Sequence, residues 1–204
     1  MKGSTALRAL AVACSLCLAS CATTRQVQTW KEGSYQGKLK KTLVVAVLAQ
    51  PLMRNFMEQE FVAQLKDRGG EGAASNRIIS AELARDKTAA LAFIKGQGFG
   101  TLVVTRMVDQ KYSDRAQGGG VGYMPTGYSG GWDGIYYDGF VAVGLPVSQS
   151  SVDIFTMQTN VYDLQDEKLI FSAVSSTRAE GAKELVIEPF VKAMVKELAG
   201  AGLL

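Results

Sequence analysis

The sequence predicts an α/β domain built on a mixed sheet, and three observations carry that prediction. Two apolar runs rich in β-branched residues, 42–49 and 99–108, are separated by stretches with helical period. Two extended segments, 151–162 and 168–177, are joined by the short polar turn 163–167, which is a hairpin signature. A final segment, 182–199, carries a wide apolar face. The order is βαβαβ followed by a β-hairpin, with three helices packed on the sheet and both crossovers right-handed. At 204 residues and 47% hydrophobic composition the chain can bury one sizeable core, so one domain is expected, spanning 38–204.

The run Thr42-Leu43-Val44-Val45-Ala46-Val47-Leu48-Ala49 has no polar alternation and reads as a strand buried on both faces. Met53, Met57, Phe61 and Leu65 recur every four residues after it, with Phe56 and Val62 widening the stripe. Gly69 and Gly70 then close an amphipathic helix. A short strand is expected near 73–79. Asp86 is placed to cap a second helix, whose face of Ala90, Leu91 and Ile94 stops at Gly96 and Gly98. In the last helix Pro189 either introduces a kink or stands in the first turn of a better-formed half, and Gly200 offers a stop.

The first twenty residues are a separate unit. Lys2 and Arg8 precede the uncharged run 9–18, which ends in Ala19 and Ser20, the pattern of a signal peptide over 1–20. That run is about half the roughly 20 apolar residues a membrane-spanning helix needs. Leu18-Ala19-Ser20-Cys21 resembles a bacterial lipobox, which implies cleavage before Cys21 and acylation of its thiol. More than one acyl chain, palmitate among them, would make the attachment stable. Ala22 follows the cysteine, and the resemblance then implies sorting to the outer membrane, lipid-anchored and facing the periplasm. Residues 21–37 read as a lipidated tether of about 20 Å if flexible, although Trp30 and Tyr35 are aromatics that favour docking or an interface.

Composition removes several kinds of chemistry. Cys14 and Cys17 would leave with the signal peptide and Cys21 would be blocked, so neither a disulfide nor a thiolate nucleophile is expected. The chain has no histidine, the usual general base and commonest metal ligand. Removing Lys2 and Arg8 from 22 basic residues leaves 20 against 19 acidic ones, a net charge of +1, which argues against nucleic acid as a partner. Lys31, Lys38, Lys40 and Lys41 form a local basic collar that could touch anionic headgroups or merely be solvated. Neither Gly118–Gly122 nor Gly96-Gln97-Gly98-Phe99-Gly100 has the residues or the following helix that a phosphate cradle requires.

Residues 109–149 depart from all this. Ten glycines fall between Gly118 and Gly144, interleaved with Tyr123, Tyr128, Trp132, Tyr136, Tyr137 and Phe140, and no strand or helix period is visible. So long a Gly/Tyr-rich loop in a compact domain is uncommon and usually functional or disordered. Tyr and Trp give large contact area with few torsions to freeze, so these six aromatics are the candidate partner-binding residues.

Taken with the lipobox, three segments carry a wider resemblance: the LVVAVL strand followed by the Arg54-bearing helix, GFGTLVVTRMVD at 98–109, and NVYDLQDEKLIFSAVSST at 160–177. The chain resembles uncharacterised bacterial envelope lipoproteins that share a domain with the curli-secretion lipoprotein and the amino-terminal domain of TolB-type proteins. That resemblance implies an accessory or assembly role in the cell envelope and brings no catalytic residues. The 109–149 segment lacks the alternation of the curli channel's transmembrane hairpins, so no pore is expected.

The functional expectation is therefore a non-enzymatic, membrane-anchored accessory or partner-binding protein, without cofactor or metal, meeting an envelope protein or another copy of itself. The alternative is a small-ligand or lipid-binding periplasmic module. Carboxylate pairs Asp133/Asp138 and Asp163/Asp166 are expected to be exposed turn acids rather than catalytic groups. Met53 and Met57 share a helix face and read as core rather than as copper(I) ligands. Arg54 and Arg106 are expected to be paired, Glu58 and Glu60 being the nearest acids in the sequence pattern.

Overall fold

The computed structural model describes residues 23–111, 121–125, 140–144, 153–179 and 186–204. It contains a mixed α/β domain: a six-stranded sheet with three helices. The elements run β1 (Thr23–Lys31), β2 (Thr42–Val47), α1 (Pro51–Asp67), β3 (Gly72–Ala74), α2 (Lys87–Gly96), β4 (Thr101–Lys111), β5 (Val121–Pro125), β6 (Phe140–Gly144), β7 (Asp153–Asp163), β8 (Lys168–Ala179) and α3 (Ile187–Gly200), with two short 3₁₀ turns between β3 and α2. The sheet order is β1-β8-β7-β4-β2-β3, and β5 and β6 pair separately. β2 is parallel to β3 and β4, whereas β4, β7, β8 and β1 are successively antiparallel.

The expected hydrophobic pattern explains where each side chain goes. Val44 and Ala46 of β2 enter the core formed with α1 and α3, while Leu43 enters a second core beside Leu91 and Ile94 of α2. An unalternating apolar strand is what two covered faces require. Across the first core Phe61 of α1 meets Phe190 of α3 edge to face, with ring centroids 6.3 Å apart.

Local signals set the helix ends. Pro51 starts α1, where its missing N–H costs nothing, and Asp86 caps α2 by accepting from the Ala89 N–H at 3.0 Å. Gly69 and Gly98 adopt φ of +80°, the left-handed conformation that lets the chain turn back on the last carbonyls. Gly70 N donates to Leu65 O at 2.9 Å, and Phe99 N to Ile94 O at 3.3 Å. Pro189 stands in the first turn of α3 and does not break it; the helix continues through Gly200 and reverses at Gly202 instead.

Three expectations are corrected. The tether assigned to 21–37 is in large part β1, which pairs with β8 from Thr23↔Arg178 to Lys31↔Phe171. Its alternation is polar, with Thr24 bonded to Thr177 at 2.8 Å, so hydropathy does not reveal it. The 109–149 stretch also contains strands: β4 runs on to Lys111, and β5 and β6 form an antiparallel pair with Tyr123 opposite Ala142. Lastly, Phe56 is not part of the buried stripe but is 48% exposed.

The basic collar is reassigned too. Lys40 pairs with Asp163 at 3.1 Å, Lys41 donates to Gln97 O at 2.9 Å, and Lys31 donates to Ala201 O at 2.7 Å. These lysines sit at the end of the sheet where β2 begins and β1 ends. Thr23 lies at the opposite end, roughly 27 Å away along β1.

Candidate functional site

One end of the sheet gathers the C-terminal ends of β2, β4 and β8, the start of β7, and the first turns of α1 and α3. Between α1, α3 and the sheet at this end lies an apolar cavity of about 240 Å³. Met53 and Met57 line it from α1, Met107 and Met157 from the sheet, and Phe155 and Phe190 from β7 and α3. Thr177, bonded to Thr24 of β1, and Gln110 are among its few polar members.

The methionines come as two neighbouring pairs. Met53 and Met57 are four residues apart on one helix face, which sets their Cβ atoms about 5–6 Å apart. Met107 and Met157 are direct partners in the β4–β7 ladder, a relation that places Cβ atoms about 4.5–5.5 Å apart. Met57 and Met157 are buried, whereas Met107 is 41% exposed and stands at the mouth. Leu52 and Phe56, on the outer side of α1, are 60% and 48% exposed and extend the apolar surface beyond the cavity.

A second hollow, of about 380 Å³, opens at the same end on the opposite face of the sheet. Arg54, Ser75, Asn76 and Ser80 bring polar groups to it, over a floor that includes Val45, Val47 and Val104. Its wall is fixed by Glu58, which is fully buried on α1. Glu58 Oε1 accepts from Ala46 N at 3.0 Å and from Ser75 Oγ at 2.7 Å, and its Oε2 accepts from Asn76 N at 3.0 Å. This carboxylate therefore ties β2 to the turn after β3 and does not serve as the expected partner of an arginine.

Arg106 meets a neutral acceptor. Its Nε and Nη2 donate to Gln158 Oε1 at 2.9 and 2.6 Å, from the middle of β4 opposite Val47, the last residue of β2. The same sheet face continues with Asn160, which donates to Tyr162 Oη at 3.1 Å and accepts from Ser172 Oγ at 2.7 Å. At the far end Asp163 does sit at the turn, but it is buried rather than exposed as expected, enclosed by Lys40, Tyr35 and the Gln165 N–H. Burial, then the Asp163 charge, then their hydrogen bond raise the Tyr35 phenol above its ordinary value of 10.0.

The residues singled out from sequence are distributed unevenly. Tyr123 lies in β5 and Phe140 opens β6; Cys21, Tyr128, Trp132, Tyr136, Tyr137, Asp133 and Asp138 lie outside the described residues. Met53 and Met57 do face the core, but together with Met107 and Met157, whose register partnership no local pattern announces. Among the described residues no three His, Cys, Asp or Glu side chains are arranged to hold a metal ion. Nor, among them, is any helix long and apolar enough to cross a membrane.

No protein-family model matches this chain, and no curated protein sequence matches it. Solved structures do show likeness. The PelC dodecamer from Paraburkholderia phytofirmans aligns over 87% of this chain and 97% of its own, with TM-score 0.47 and 11% identity. Lipoprotein GNA1162 from Neisseria meningitidis aligns over 80% of this chain and 97% of its own, with TM-score 0.38 and 11% identity. A PDZ domain protein from Parabacteroides distasonis covers 90% of this chain with 38% of its own length, at TM-score 0.42 and 9% identity. These figures describe likeness of chain path.

Proposed function

We propose that this protein is an acyl-anchored, non-enzymatic component of the bacterial cell envelope, held at the outer membrane through Cys21, that binds its partner with the anchored end of its sheet. The supporting observation is positional. Only Ala22 separates Cys21 from the start of β1, and two residues of chain span at most about 7 Å from Cα to Cα. Thr23 and Thr24 stand at the sheet end that carries the apolar cavity and the exposed Leu52, Phe56 and Met107. With that anchor, the apolar cavity and three of the five large hydrophobic side chains exposed among the described residues would lie beside the bilayer, where an envelope partner or another copy of this chain would meet them. Exposed apolar surface of this kind marks interaction sites in soluble domains.

The alternative, a small-ligand or lipid-binding module, is favoured by the cavity itself, which has the apolar lining and sparse polar groups of a ligand site. The two readings share a location and differ in what enters it.

The experiment is a pair of variants expressed in a diderm bacterium. Wild type is expected in the outer-membrane fraction, with an acylated amino-terminal cysteine visible by mass spectrometry, and Cys21→Ala is expected to be released from it. Phe56→Asp, combined with Leu52→Asp, is expected to keep the anchor and lose crosslinked partners in intact envelopes. A soluble, unacylated wild type defeats the anchoring claim. Unchanged crosslinks in the double variant defeat the contact surface.

A further inference from the structure

We propose that Met53, Met57, Met107 and Met157 form a thioether site for a soft monovalent cation, copper(I) or silver(I). The inference is independent of the anchor and goes beyond partner binding.

The donor inventory is the first argument. With no histidine in the chain and no cysteine after Cys21, methionine sulfur is the only soft donor in residues 22–204. Four of the six methionines in that range line a single cavity. Thioethers select copper(I) over zinc, calcium or magnesium, which prefer imidazole, thiolate or oxygen donors.

Geometry is the second. A helical pair four residues apart and a cross-strand pair face the same space from opposite walls. Two donors on each of two rigid elements are what a three- or four-coordinate ion needs, and three torsions per methionine let the sulfurs adjust. Among the described residues no carboxylate lines the cavity, so hard cations gain nothing there, while the polar edge of Gln50, Gln110 and Thr177 lies beside it. A cation with only neutral ligands is costly to bury completely; Met57 and Met157 belong to the core, and the 41% exposed Met107 brings the site to the solvent boundary. An ordinary core methionine, Met194, is by contrast fully buried and away from the cavity.

The test uses full-length protein in detergent. Silver(I) is titrated and counted by native mass spectrometry, and copper(I) affinity is measured by competition with bicinchoninate. Wild type is expected to retain one ion per chain and to show sulfur-only ligation in X-ray absorption, and zinc(II) is not expected to be retained. Methionine-to-leucine exchange keeps volume and apolarity and costs less than about 1.5 kcal/mol, so the variants should fold. Met107→Leu and Met157→Leu should each weaken binding about tenfold or more, as loss of a direct ligand must at least match loss of an outer-shell contact. The fourfold leucine variant should retain no ion, and Met194→Leu should bind as wild type does. No retained ion in the wild type, or equal retention by the fourfold variant, overturns the proposal. Leu52 and Phe56 lie outside the cavity lining, so the Leu52→Asp/Phe56→Asp variant should bind the ion as wild type does even where partner crosslinks are lost, which separates this inference from the proposed function.

Discussion

Gln26 of β1 and Ser175 of β8 stand opposite each other in the ladder, and the amide of one and the hydroxyl of the other are buried without a hydrogen-bond partner among the described residues. Both point to the side of the sheet that α3 covers, in line with Met157, the next partner of Ser175. An unmet polar group costs about 1–3 kcal/mol, and replacing it by an apolar one of similar shape removes that cost. Ser175→Ala is accordingly expected to stabilise the fold by roughly 1 kcal/mol, read as a higher denaturant midpoint at unchanged slope.

Glu58 should behave in the opposite way. Truncation to alanine strands the Ala46 and Asn76 N–H groups and the Ser75 hydroxyl together. A loss of roughly 3 kcal/mol or more follows from the cost of orphaned buried donors. Equilibrium unfolding measures it, and Glu58→Gln, which keeps one acceptor oxygen, should lose less.

The contact between Phe61 and Phe190 joins α1 to α3, and both rings are buried. Phe190→Ala should cost about 3–5 kcal/mol, the range for emptying an aromatic site in a core. Phe56→Ala, on the exposed side of the same helix as Phe61, should change stability by no more than about 0.5 kcal/mol. Thermal melts of the two variants make the comparison.

Tyr35 provides a pH signature. Its phenol is held protonated above the ordinary value of 10.0 by burial and by Asp163. The unfolded chain therefore releases this proton first on alkaline titration. The contribution to stability is intact below pH 10 and is lost as pH rises through the folded value. Absorbance titration near 295 nm should show a late-titrating phenol component that Tyr35→Phe removes. Asp163→Asn should bring its titration part of the way back, because burial is the larger cause.

Much of the architecture was legible in the sequence wherever one residue type has one physical solution. An unalternating Val/Leu run needs two covered faces, Asp86 before a helix supplies a cap, and Asp163 to Glu167 between extended segments turns a hairpin. β1 was not legible, because Thr-Thr-Arg-Gln-Val-Gln-Thr-Trp-Lys earns its place through ladder bonds and hydroxyl pairing rather than hydrophobicity. Phe56 falls only about 100° around the helix from Met57, and no sequence rule says where the core stops. The cavity was half legible: the Met53/Met57 spacing is visible in the chain, whereas the Met107/Met157 partnership belongs to a long-range β4–β7 register, continuous from Thr101↔Asp163, that only the folded ladder reveals.

The flanks of the six-stranded sheet bear on how copies of this protein can associate. On one side β3 is three residues long. On the other, β1 is interrupted by an irregularity between Gln26 and Gln28 and carries Arg25 and Lys31. Neither border offers a long, flat row of amides and carbonyls to a neighbouring chain. Fibre-like growth by adding strands is thereby discouraged, and any higher-order assembly of this sheet has to be built from side-chain surfaces.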